Sequence, residues 1–441
     1  MPQPARSTSA AVLGLPSLIA LIIANMIGAG VFTTSGFALG DLGSANRVMA
    51  AWVVGGVIAL CGALSYGGLV RHITDSGGEY LFLSRIIHPV AGFIAGWVSL
   101  LAGFTGAIAF AARAFETYAF PTRPDWLPSG VAASVMVIVA AVLHGVKVET
   151  GAMSQNIVVA VKVVMLVGFL LFSASVAMTQ GMGPAPVPAA PFDFVIFAGS
   201  LVWISLSYSG FNAAVYVAGE AKDAQRNAPK ALWIGTLIVT VLYVGLNAAF
   251  VYLPPFDAVV GKEDVAAAAA QAIGGPPAAL AIRFVTVMAL ITSVFSLVMA
   301  GPRVYARMAD DGVFPRFFRF RGAGAPTKAI AAQAVLAVAV IAVSDLRGLL
   351  SYLGFTLSLS GALTVAALFV VARREGRKAV AVWGYPFTPA FYVLATLILA
   401  GVAGRRSPVE LLTAVVTIVS GSVVYYAFGL HRAASHAARA S

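Results

Sequence analysis

Apolar stretches of roughly 20 residues, the length that crosses about 30 Å of hydrocarbon at 1.5 Å per residue, recur along this chain from one end to the other. Twelve are predicted, at 14–40, 48–70, 89–119, 127–146, 153–178, 192–218, 230–253, 280–301, 327–344, 348–371, 386–404 and 409–430, with short polar gaps between them. Backbone groups inside a membrane must pair with one another, so each stretch is read as a helix. The first is not a cleavable signal peptide, because its apolar run is too long and the second follows after a turn around Asp41 to Asn46. A chain that is 60% hydrophobic and 10% charged, with a mean hydropathy of +0.92, excludes a soluble globule and leaves one all-α integral membrane domain over 1–441.

Lysine and arginine set the orientation, since positive charge is retained on the cytoplasmic side. With the N-terminus inside, the cytoplasmic loops hold Arg71 and Arg85, then Lys222, Arg226 and Lys230, then the run from Arg303 to Lys328, then Arg373, Arg374, Arg377 and Lys378. Both termini are therefore expected in the cytoplasm, and the chain in the cytoplasmic (inner) membrane. The formal charge of +11 is dispersed among these loops, which fits topology and anionic headgroups and excludes a nucleic-acid surface. The single cysteine, Cys61, lies inside the second stretch, so neither a disulfide framework nor a thiol metal cluster is expected. His72, His88, His144, His431 and His436 have no ligand spacing, and no metal or other cofactor is expected. The chain contains no GxxxxGK phosphate loop, so any work it performs is driven by gradients or exchange.

Within the first stretch, "IIANMIGAGVF" at residues 22–32 places two glycines where a helix has no water to fall back on. Unwinding at Gly28-Ala29-Gly30 would leave N–H groups at the start of the second half-helix unpartnered, carrying the positive end of its dipole. That is an anion site sized for a carboxylate. Glycine pairs also serve close helix packing, as the GxxxG spacing of Gly36 and Gly40 does. A second interruption five stretches later shifts the balance. The sixth stretch reads "FAGSLVWISLSYSGFNAAVYVAGEAK", with Ser207-Tyr208-Ser209-Gly210 near its middle. Matched breaks in spans one and six mark an inverted repeat of five helices with the substrate at the repeat interface. The first half of span six would present free carbonyls of Leu206, Ser207 and Ser209 to an ammonium. Carboxylate site facing ammonium site is the footprint of an α-amino acid.

"MIGAGVF", "DSGGEYLFLSR", "SLSYSGFNAAVYVAGEAKDAQRNAPKAL" and "PRVYARMADDGVFPRFF", in this order, resemble the hallmarks of the amino acid–polyamine–organocation (APC) transporters, most closely the L-type amino acid transporter branch and its bacterial relatives. The likeness covers spans one to twelve. It implies a LeuT-like fold with two inverted repeats, 14–178 and 192–371, and helices eleven and twelve at 386–430. It also implies that the N–H groups of Ala29 and Gly30 hold the carboxylate, with Gly28 permitting the turn, and that the carbonyls of Met26, Leu206 and Ser209 hold the ammonium. Phe211 and Asn212, after Gly210, fall where the family has an aromatic and an asparagine near substrate and gate. Leu206 departs from the bulky aromatic that many relatives carry there, so occlusion is expected to come from elsewhere, such as Phe211.

The fifth stretch carries one ionisable residue, Lys162, nine residues after Met153 and so near the midplane, where a lysine costs several kcal/mol, roughly 2.5 to 3.5 on insertion scales. By the same resemblance, its ammonium would occupy the position of a sodium ion in coupled relatives, bonding carbonyls near Ile27 and Gly28 and a hydroxyl of span eight, Ser293 or Ser296. It could act as a proton carrier or as a fixed tether. Arg113 and Glu116, one turn apart, are expected to form an ion pair, and Arg283 to snorkel. Glu220, Lys222, Asp223 and Arg226 are expected in an inner gate network, and residues 261–275 in an outer-loop helix. Side-chain pocket candidates are Gly103, Phe104, Ser293, Ser296, Tyr352 and Phe355; none is acidic, which favours small or medium neutral L-amino acids.

The expectation is a sodium-independent secondary transporter, an obligate exchanger or a proton-coupled symporter, and not an enzyme. The competing classes are a membrane amino acid sensor, for which the short ends offer no signalling domain, and an ion channel, against which the lack of a charged pore ring argues. Expected partners are the amino acid, lipid and, for a symporter, protons. Animal relatives attach a heavy chain through a disulfide; with Cys61 mid-span, none is expected here.

Overall fold

The computed structural model describes residues 13–145, 152–181, 191–310, 312–319 and 326–427. Among these it is helical, with α1 Leu15–Met26, α2 Ala29–Leu42, α3 Ala45–His72, α4 Gly78–Ile86, α5 Pro89–Val98, α6 Ala107–Ala119, α7 Val131–Gly145 and α8 Ala152–Gln180. There follow α9 Phe194–Ser207, α10 Ala224–Tyr252, α11 Phe256–Val259, α12 Val265–Asp310, α13 Thr327–Val343, α14 Leu346–Glu375, α15 Phe387–Ala403 and α16 Pro408–Ala427. A π-helical stretch, Ser99–Gly106, joins α5 to α6 in one continuous crossing. A 3₁₀ segment, Ala213–Glu220, follows the break after α9.

Every predicted apolar stretch holds a helix, but not every helix is a full span. Seven are long and apolar enough to cross a membrane, and α1 with α2 makes an eighth, bent by 41°. Four shorter apolar helices, α7, α9, α13 and α15, coincide with the remaining stretches. Val164 on α8 is 69% exposed and Leu171 is 68% exposed, on a helix with little charge. Such a surface needs an apolar solvent.

The first described residue, Leu13, lies at one face, here the N-terminal face, and α2 ends at the opposite one. On the N-terminal face the Leu13 N–H donates to the Glu220 carbonyl and the Lys222 N–H to the Leu13 carbonyl, stitching Leu13 to the end of the 3₁₀ segment. At Glu220 and Lys222, expected in an inner gate network, the recorded contacts to Leu13 are made by backbone. Asp223 takes a left-handed conformation (φ 46°) and its carbonyl accepts from Arg226 and Asn227, and no side-chain ion pair joins these four residues among those described. On the opposite face, the helix expected over 261–275 begins at Val265 and runs into α12 across a kink at Gly275 (φ 68°). The Gly261 N–H donates to the Gly36 carbonyl, and a Cβ on Gly36 would lie 1.9 Å from the Lys262 carbonyl oxygen. Gly36 is therefore a close-packing glycine. Arg283 does not snorkel. It pairs with Asp264 and donates to the Tyr118 carbonyl. Arg113 pairs with Glu116 at 3.4 Å as expected, and also bonds Ser129 and the Ser344 carbonyl.

Buried polar groups knit the interior. Ser35 donates to Asn247 and accepts from the Trp52 indole, while the Asn247 amide donates to the Tyr243 carbonyl, so α2, α3 and α10 share one network. Fully paired networks in a low-dielectric interior specify one packing. Asn247→Ala is expected to lower the melting temperature, since it strands the buried Ser35 hydroxyl donor and takes the amide donor from the Tyr243 carbonyl, an unsatisfied buried group costing about 1–3 kcal/mol. An unchanged melting temperature in the purified variant would show the network to be idle.

Candidate functional site

The first break is short. Ile27 caps α1, the Gly28 N–H folds back to the Met26 carbonyl at 2.9 Å, and α2 restarts at Ala29 with no side chain capping it. The leading amides of α2 are therefore without helical acceptors, and they are buried: Ala29 is 4% exposed. The second break starts at Tyr208, where α9 ends, and runs through Gly210 (φ 96°) to the 3₁₀ segment. The carbonyl of Leu206 accepts from the Ser209 N–H, whereas among the described residues no backbone N–H is bonded to the carbonyls of Ser207 or Ser209.

These two interruptions face each other. A Cβ on Gly30 would lie 2.5 Å from Ser207 Oγ and 2.7 Å from its Cα. One on Gly210 would lie 2.7 Å from the Asn25 carbonyl oxygen. Only glycine lets the broken backbones come this close. Thr34 and Ser207 share a hydroxyl contact of 2.9 Å across the same seam. Behind it, Trp52, Tyr208 and Tyr243 form an aromatic trio with ring centroids 5.2 to 5.6 Å apart, and Tyr208 donates to the Trp52 carbonyl.

Among the predicted residues, Ala29, Gly30, Leu206, Ser207, Ser209 and Gly210 are brought to this seam. Lys162 is buried, and its Nζ donates to the Ile27 carbonyl at 2.8 Å. Ser293 and Ser296 of α12 make no hydrogen bond to it among the described residues. The Met26 carbonyl, expected to face an ammonium, instead accepts from both the Gly28 N–H and the Tyr243 hydroxyl. Both its lone pairs are used within the protein. Phe211 packs edge-on to Tyr66 and near Tyr392. Tyr352 bonds Thr417 of α16, and Phe104 packs on Tyr305. Gly103 and Phe104 belong to the π-helical stretch, a distortion common beside functional sites.

Asn212 leads to a residue that sequence reasoning passed over. Its amide donates to Glu79 Oε1 at 3.1 Å; the Tyr66 hydroxyl bonds the same oxygen, and Ser360 lies 3.3 Å from Oε2. Glu79 is 9% exposed and sits in the first turn of α4, outside the crossing helices. Burial pushes its carboxyl pKa up, opposed by the three hydrogen bonds. The signal was in "DSGGEYLFLSR", where a glutamate in a polar connection reads as solvated.

Two open clefts lie elsewhere. The larger, about 490 Å³, is on the opposite face and is lined by Arg113, Glu116, Arg123, Lys262, Glu263 and Asp345 among others. The smaller, about 220 Å³, is on the N-terminal face beside His72, Arg85 and Glu375. Neither reaches the breaks. The breaks are the better candidate, because they offer unpaired backbone donors and acceptors deep in the fold. Among the described residues no cluster of three His, Cys, Asp or Glu side chains could hold a metal ion.

A family model described as amino acid permease matches residues 13–427. The chain is 25% identical over 434 residues to the b(0,+)-type amino acid transporter 1 of Mus musculus, covering 94% of this chain and 87% of that protein. It is 26% identical over 372 residues to the large neutral amino acids transporter small subunit 2 of Rattus norvegicus, covering 81% of this chain and 69% of that protein.

Proposed function

The chain belongs to the amino acid permease family, and from that premise we propose that it is a sodium-independent secondary transporter of small or medium neutral L-amino acids in the cytoplasmic membrane. The observation that carries this reading is the meeting of the two helix breaks, Gly30 against Ser207 and Gly210 against Asn25. The amides of Ala29 and Gly30 take the carboxylate, and the carbonyls of Ser207 and Ser209 take the ammonium. Twelve crossings arranged as two inverted five-helix repeats, 14–178 and 192–371, with helices at 386–430 outside them, put the seam at the midplane. Alternating access then proceeds by rocking of one helix bundle against the other, with both termini in the cytoplasm.

Lys162 supports sodium independence. Its ammonium on the Ile27 carbonyl supplies a fixed cation at the first break, where a bound sodium ion would otherwise be needed. Two modes of operation follow, obligate exchange and proton symport, and one experiment separates them. Labelled neutral amino acid is expected to enter sodium-free proteoliposomes. Uptake only into vesicles preloaded with unlabelled amino acid identifies an exchanger; uptake into empty vesicles under an inward proton gradient identifies a symporter. No uptake in either setting overturns the reading.

A further inference from the structure

Glu79 is a buried carboxyl group on which three parts of the fold converge. Tyr66 comes from α3, Asn212 from the second break and Ser360 from α14. The loop preceding it and the start of α4 close against the 3₁₀ segment, forming a second seam on the N-terminal face. The Gly219 N–H donates to Ser76 Oγ, and Gly78 lies so close to Tyr216 that a Cβ there would meet the ring at 2.5 Å. Beside this contact, Leu13 is stitched to the end of the 3₁₀ segment. The N-terminal face is therefore shut at the level of Glu79, and parting the second break from α3 and α14 there would bring water to it.

Among the described residues, no cation faces this carboxyl group. The titratable groups turned towards it are phenols: Tyr66 of α3, Tyr216 of the 3₁₀ segment and Tyr392 of α15. Charged groups on α4 and its neighbours are engaged elsewhere. Arg85 pairs with Asp75, Arg374 donates to the Ile86 carbonyl at the far end of α4, His72 pairs with Glu375, and His88 caps the Val90 N–H. A buried carboxylate without a cation is costly. The neutral acid can be accommodated: Oε1 accepts from Tyr66 and Asn212, and the Ser360 hydroxyl, which donates to Oε2 of a carboxylate at 3.3 Å, can rotate to accept a proton placed on Oε2 instead.

We propose that Glu79 is a proton-binding site that locks this seam, neutral in the closed arrangement and releasing its proton to water on the N-terminal face as the seam parts. The sign follows from burial, which raises the carboxyl pKa in the closed form above that of a hydrated glutamate. Low pH therefore favours the closed seam, and rising pH opens it. For transport, this makes Glu79 the group that carries a coupled proton and leaves Lys162 as a tether; that consequence rests on the transport reading, whereas the seam equilibrium does not.

Amide hydrogen exchange on the purified protein tests it without any transport. After correction for intrinsic exchange, protection of residues 213–221 in wild type should fall as pH rises, by up to about tenfold per pH unit across the ionisation range of one linked proton. Protection of α2 should stay level. Glu79→Gln, which keeps an acceptor and offers an amide donor to Ser360, should hold 213–221 protected at every pH. A level wild-type profile overturns the proposal whether or not the variant folds, and a Gln variant that follows the wild-type profile overturns it by assigning the effect to another group such as His72.

Discussion

Gly30→Val is expected to abolish amino acid binding and transport, and Gly30→Ala to remove most of both. The position leaves no room: an added Cβ would sit 2.5 to 2.8 Å from Ser207 Oγ, Cα and Cβ, and a Cα cannot swing aside as a flexible side-chain tip can. Either α2 retreats from the second break or α9 does, and the amides proposed for the carboxylate move relative to the carbonyls proposed for the ammonium. The loss should be on the order of 100-fold, the scale of a 1 Å misplacement in a preorganised site. Equilibrium binding of labelled amino acid, beside a check that the variant elutes as wild type does, decides the matter. Binding at wild-type affinity in Gly30→Val would mean that the substrate is held elsewhere, with the cleft of about 490 Å³ on the opposite face the next place to look.

Lys162→Ala should eliminate transport. The side chain is 6% exposed and its Nζ is bonded to the Ile27 carbonyl, at the residue where α1 stops. Removing it leaves that carbonyl without its donor in a low-dielectric setting and takes away the positive charge beside the break; an unsatisfied buried acceptor alone costs about 1–3 kcal/mol. Lys162→Gln separates the two contributions. Its amide, one bond shorter, keeps a neutral donor beside Ile27, so recovery of transport would assign the role to the hydrogen bond and not to the charge. Unchanged transport in Lys162→Ala would remove Lys162 from the mechanism.

The helix breaks were legible because a membrane makes them conspicuous. Gly28 and Gly30 interrupt a run that has no other way to satisfy its backbone, and Gly210 repeats the device in the sixth stretch. Lys162 was legible for a similar reason, as an ion where ions are expensive. What the chain concealed was partnership. The three residues around Glu79 lie 13, 133 and 281 positions away, and a glutamate preceded by Gly77 and Gly78 in a polar connection carries no periodic mark of burial. The Met26 carbonyl looked available because its competitor, the Tyr243 hydroxyl, comes from a helix 217 residues further on. Arg283 looked like a snorkelling residue because Asp264 lies across the Gly275 kink, where helical spacing no longer predicts neighbours. Local periodicity reports what a segment needs; it does not say which distant segment supplies it.

The π-helical stretch Ser99–Gly106 bears on how this chain tolerates changes of length. A wider turn accommodates surplus backbone within one crossing, so a residue can be lost or gained there while α5 and α6 keep their facing. In a regular α-helical part of the same crossing, such an indel would rotate everything beyond it by about 100° and pull the Arg113–Glu116 pair away from Ser129 and Gly130. The distortion is thus a slack link in an otherwise rigid rod, a place where evolutionary drift in length can be absorbed before it reaches either face of the membrane.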